Sequence, residues 1–199
     1  SSKNQNIIIK LPDNFMEHRK TGENENEICK IIRDDMIEDF IVYLNKYEYS
    51  INSNIKSSIY ETHSYLIKNK LTLIEYAAFF GSAQIFKYLL LNKADITNSL
   101  WLYGINGNNP EIIQLLEENS TSIIDTAYDE CFEESIKCHH NDMAYYIQNN
   151  YINSETDINE NFDFEDNVFL YGFNYYNYNF FPSELNNYFF VFYLCKYGY

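Results

Sequence analysis

Basic residues are scarce in this chain, with 14 Lys and Arg against 29 Asp and Glu, a formal net charge of −15. Nucleic acids and anionic membranes are gripped through a basic footprint, so this balance argues against both as partners. It favours a protein ligand, and a basic one first. Glycine is equally short: six residues with no Gly-x-Gly, so no loop of the phosphate-cradling kind exists. The four cysteines (Cys29, Cys131, Cys138, Cys195) form no dense framework, which points to a reducing cytosol rather than a disulfide scaffold. There is no apolar run of 18 residues and the start does not read as a signal peptide. The chain does not begin with Met, from which a longer natural chain is expected.

What the sequence does have is apolar residues at 46% and a recurring pattern that needs a partner surface to bury them. Thr72-Leu-Ile-Glu75 reads as a capping box opening a helix; Ala77 and Ala78 are small, and Gly81 ends it. Ile85 and Leu89 then continue at helical spacing. Twenty-seven residues on, Leu73 meets Leu100, Tyr76 meets Tyr103, Ile85 meets Ile112 and Leu89 meets Leu116. Asn109-Pro110-Glu111 gives that second helix a cap residue, a first-position proline and an early acid. After 31 more, Leu100 meets Cys131, Ile105 meets Ile136 and Ile112 meets Met143. Upstream, Ile28, Ile32, Phe40 and Leu44 match Leu73, Ala77, Ile85 and Leu89, with an insertion near 52–69. That insertion is either a short helix capped by Ser58 and Glu61 or a long protruding loop. Downstream, Leu170-Tyr-Gly-Phe-Asn174 echoes Leu102-Tyr-Gly-Ile-Asn106.

The expected architecture is all-α: four to five stacked helix-turn-helix units near 27–47, 71–96, 98–120, 129–151 and 167–199, after an N-terminal extension, partly disordered, over 1–26. Asn153 to Asp166 reads as an acidic loop. Fifteen of the 32 residues from Val168 to Tyr199 are aromatic, with a last helix expected from Pro182-Ser183 to Gly198.

Thr72 to Asp95 resembles the ankyrin consensus: Thr, an apolar pair, Ala-Ala, Gly, an Ile-x-x-x-Leu-Leu second helix and an Ala-Asp exit, with Leu73 and Glu75 where the consensus has Pro and His. Glu27–Asp35 and the turns at Asn109-Pro-Glu and Cys138-His-His-Asn-Asp resemble an ankyrin-type family of unknown function expanded in trichomonad protozoa. The resemblance implies an ankyrin-like solenoid, an intracellular setting, a protein–protein adaptor role and no catalytic residues to carry over.

Three functional readings follow. The first is a non-catalytic interaction module with no cofactor, presenting an acidic, tyrosine-rich concave face. In this fold the residues just before and at the end of each first helix meet partners, which selects Leu71, Tyr76, Phe79, Phe80, Asn98, Tyr103, Asn106, Asp129, Glu134 and Lys137. Phe79 and Phe80 are the sharpest, because buried aromatics dominate interface energetics; the alternative is that the insertion folds over them. The second reading is a structural component of a larger assembly, such as a cytoskeletal array. The third is zinc held by Cys131, Cys138, His139 and His140. Tetrahedral sites need converging side chains, however, and the register puts Cys131 in the core and His139 on a turn. Neither Cys138 beside His139 nor the carboxylate pairs Asp34-Asp35 and Glu133-Glu134 carry a catalytic signature, and no enzyme is expected.

Overall fold

The computed structural model describes residues 12–13, 15–68, 70–97, 99–119, 128–152, 164–181 and 188–198. Among these, every regular element is helical; one isolated bridge joins Asn54 to Thr72. Asn98, most of the acidic loop and the Pro182-Ser183 helix start lie outside the described residues. Glu165 and Asp166, read as the end of that loop, belong instead to the first turn of a helix.

Four helix pairs follow the sequence pattern: α2 (Glu27–Arg33) with α3 (Ile37–Lys46), α5 (Leu73–Phe80) with α6 (Ala83–Leu91), α7 (Leu100–Gly107) with α8 (Pro110–Asn119), and α9 (Tyr128–Lys137) with α10 (Asn141–Ile147). A helix α1 (Phe15–Thr21) precedes them and a short α4 (Ser64–Lys68) lies in the insertion. After them come α11 (Phe164–Asn174) and α12 (Tyr188–Tyr197). First helices pack on first helices in the order α2, α5, α7, α9, α11, and second helices in the order α3, α6, α8.

The local causes are legible. Thr72 Oγ1 accepts from Glu75 N while Glu75 Oε2 accepts from Thr72 N at 2.8 Å, a capping box that satisfies two orphan donors of α5. Gly81 closes α5 in the left-handed region at φ 69. Asn109 Oδ1 accepts from Glu111 N at the start of α8, with Pro110 at the first helical position. Leu73, Ala77, Ile85, Phe86, Leu89, Leu100, Ile105 and Ile112 have no solvent exposure at all, so the core runs unbroken from pair to pair.

The turns repeat more strictly than the letters do. Asp35, Gly81, Asn108, His139 and Tyr176 all hold positive φ, one after each first helix. The residue that follows each of the last four reaches back to a carbonyl of the preceding pair: Ser82 Oγ to Ile32, Asn109 Nδ2 to Gly81, His140 Nδ1 to Ile105 and Asn177 Nδ2 to Ile136. Asp35 works in the other direction. It lies between α2 and α3, in place to cap its own second helix, but its carboxylate accepts from Gln84 N and Ile85 N, both at 3.0 Å, capping α6 of the next pair. Short polar side chains at turns thus staple neighbouring pairs together.

Candidate functional site

The face formed by α5, α7 and α9 carries most of the residues selected for partner contact, and the insertion lies across it. Residues 50–70 are tied at their base by Ile55 N donating to Leu71 O and Leu73 N to Ser53 O. Glu61 Oε1 accepts from the N–H groups of Thr62 and His63, just ahead of α4. Glu61 and not Ser58 therefore shapes the helix entry, and the Ser58 hydroxyl goes to Glu25. The described part of the N-terminal extension packs on the insertion in turn. Phe15 and His18 meet the ring of Tyr60, Arg19 donates to Ile59 O, and Asn24 Nδ2 donates to Lys56 O.

From this platform Tyr65 spans two pairs. Its ring meets Tyr103 of α7 edge-on, and its hydroxyl donates to Glu134 Oε2 of α9 at 2.7 Å. Lys137 Nζ lies 4.8 Å from the same ring and donates to both Glu134 oxygens, at 2.9 and 3.2 Å. The Cys138 thiol stands 3.4 Å from Glu134 Oε1 and 3.5 Å from Asn106 Oδ1. Burial pushes the Glu134 carboxyl up, but hydrogen bonds from Lys137 and Tyr65 and the lysine charge outweigh it and hold it below its ordinary value. Burial, then the Glu134 carboxylate, push the Tyr65 phenol well up and the Cys138 thiol to about 12. His63 stacks its edge on Phe79 with centroids 4.6 Å apart, and burial lowers its basicity against the pull of Glu61 and Glu134.

A second cluster lies under the N-terminal arm. Arg33 Nη1 donates to Asn24 O and to Tyr76 Oη, both at 2.9 Å, and Nη2 pairs with Glu23 at 3.3 Å. Its guanidinium lies 5.8 Å from the Phe80 ring, which also meets Tyr76 and Phe79.

The structure follows the alternative in which the insertion folds over this face, with His63 against Phe79. Leu71, Tyr76, Tyr103 and Glu134 are 2%, 1%, 2% and 3% exposed, and Phe79, Phe80, Asn106, Asp129 and Lys137 are half-buried. Physically, an aromatic-rich first-helix face is too apolar to leave wet, and the insertion supplies Tyr65 and Leu66 to cover it, while Tyr60 packs on the N-terminal arm. Sequence reasoning missed Tyr65, His63 and Arg33, and singled out Glu61 only as a cap of the insertion helix. The available signal was the insertion's own apolar content, which a solvated loop would not carry.

The proposed zinc residues do not converge. Cys131 is buried with its thiol pushed up to about 12, His139 is exposed in the left-handed turn, and His140 is engaged by Ile105 O. No group of three metal-binding side chains comes together among the described residues. No described helix is long and apolar enough to cross a membrane. No known protein family, curated protein or solved structure matches this chain.

Proposed function

We propose that the chain is a non-catalytic protein-interaction module of the ankyrin type, a solenoid whose contact face carries a built-in cover made of residues 50–70. The observation that carries this reading is the turn series. Positive φ recurs at Asp35, Gly81, Asn108, His139 and Tyr176, and the residue after each of the last four ties its pair to the one before. A structure built by adding such units displays side chains along one extended surface, which suits recognition of another protein. Thiolate chemistry is disfavoured, because burial first of all pushes the thiols of Cys29, Cys131 and Cys138 to about 12.

The cover changes where a partner lands. Ile59 and Ile67, 53% and 54% exposed, stand on its outer side and are the apolar anchors of the proposed contact. The net charge of −15 favours a basic partner whose grip weakens with salt. A photo-cross-linking residue at Ile67 is expected to capture a protein in cells, while one at Val42, 61% exposed on α3, is not. Capture at Val42 alone, or at neither position, overturns the reading.

A role in a larger assembly has one observation of its own: Val191 and Phe192 of α12 are 54% and 62% exposed. Sedimentation of the purified chain as a monomer across micromolar concentrations would count against it.

A further inference from the structure

We propose that the groove between α8 and α10 holds an extended basic peptide segment, with arginine side chains against Glu117 and Asp142. The second helices stay packed from α3 to α6 to α8, and α10 is not packed against α8 in the same way. The two helix faces left apart enclose about 640 Å³. None of the wall residues belongs to residues 50–70, so this contact stands or falls apart from the one at Ile59 and Ile67.

The shape of the wall suits a peptide. Pro110, Ile113, Gln114 and Glu117 recur at helical spacing, a single stripe of α8 roughly 10 Å long at the rise of an α-helix. An extended chain covers that length in about three residues. Met143 and Tyr146 line the facing side of α10. Ile113 is buried and Met143 and Tyr146 are half-buried, so together they form an apolar floor for the aliphatic stems of long side chains.

The charge of the wall decides which side chains. Glu117 and Asp142 are both exposed, within reach of a ligand. The Tyr146 hydroxyl donates to Glu117 Oε1 and orients that carboxylate, while Oε2 accepts no hydrogen bond among the described residues. The Asp142 carboxylate forms no ion pair among them either. No lysine or arginine lies in the wall to neutralise the two groups. Such a groove repels the phosphates of nucleic acids and anionic lipids and attracts a cation. A metal ion would need several converging ligands, and no three metal-binding side chains come together among the described residues. A guanidinium can fork onto a carboxylate and rest its plane on a tyrosine ring.

The test uses the whole chain at pH 8, so that imidazole charge plays no part. The probe is a fluorescently labelled peptide, Gly-Arg-Ala-Arg-Gly, followed by anisotropy and by chemical shifts of residues 108–117 and 139–146. The same peptide with citrulline for arginine keeps the shape, loses the charge and should bind at least about tenfold more weakly. Glu117→Gln with Asp142→Asn keeps an acceptor for the Tyr146 hydroxyl and should weaken the arginine peptide by a similar factor. Gln114→Arg, at an exposed wall position, puts a cation into the groove with both carboxylates intact and should weaken it too. Glu38→Gln with Asp39→Asn removes the same charge from the exposed side of α3 and should leave binding nearly unchanged. Melting curves of the variants confirm that the fold survives. Equal weakening by the two double variants would assign binding to the net charge of −15 alone and overturn the proposal. Equal binding of the citrulline peptide, or no binding of the arginine peptide, overturns it as well.

Discussion

The helix pairs α5–α8 and the cover laid across them are held by different physics. In the pairs, side chains such as Leu73, Phe86, Leu89 and Ile105 are wholly buried and packed on both neighbours. In the cover, Leu66 and Tyr65 are the apolar anchors, joined by the His63 ring on Phe79, backbone hydrogen bonds at Leu71 and Leu73, and the Tyr65 bond to Glu134. Burial of the first kind is cooperative across the stack; attachment of the second kind can open without unfolding it. A face that reads from sequence as open can therefore be covered by a segment that no repeat register includes.

The sharpest break is Gly107→Ala. A Cβ there would fall 2.1 Å from Ala78 O and 3.0 Å from Gly81 N, so α5 and α7 must separate. A loss of about 3 kcal/mol or more is expected by urea unfolding, an overpacking cost at the upper end. Gly104→Ala serves as the control, since its nearest neighbour is the movable Leu116 Cδ1 at 2.8 Å, and about 1 kcal/mol is expected. Next comes one chemical change in both regions. Leu89→Ala should cost about 2–5 kcal/mol globally. Leu66→Ala should instead raise amide exchange in residues 55–68 with little change in the global midpoint. Equal global losses for the two would merge the regions into one cooperative unit.

Acid should separate them again. The Glu134 carboxyl sits below its ordinary value in the folded chain, so its contribution is complete above the unfolded carboxylate range, about pH 4.3, and fades as pH falls through the lower folded value. Exchange in the Tyr65 region should therefore rise below about pH 4 before the α5–α8 core responds. Glu134→Gln should abolish that step; an unchanged acid response would assign it to other carboxylates.

The sequence carried the helix pairs because burial imposes a period, and Leu73/Leu100 or Ile85/Ile112 repeat it in plain letters. It carried the ends of α5 and α8 because capping chemistry is local. It did not carry the fate of Tyr103 and Glu134, which meet Tyr65, 69 residues before Glu134, or that of Tyr76, which meets Arg33 from 43 residues upstream. No periodicity encodes such a contact. The same reason hid Asp35, whose carboxylate is near α3 in sequence but caps α6 in space.

That misplaced cap gives the smallest test and the one closest to the stacking itself. Asp35 accepts two N–H groups of the neighbouring pair, so Asp35→Ala removes a cap that bridges pairs. An ordinary helix cap is worth about 1 kcal/mol. A loss of that size is expected here, and it should fall on α6 and not on α3. Amide exchange at Gln84 and Ile85 should quicken while Glu38 to Phe40 stay protected. If protection is lost in α3 instead, the bridge does not operate and the pairs lean on each other through apolar packing alone.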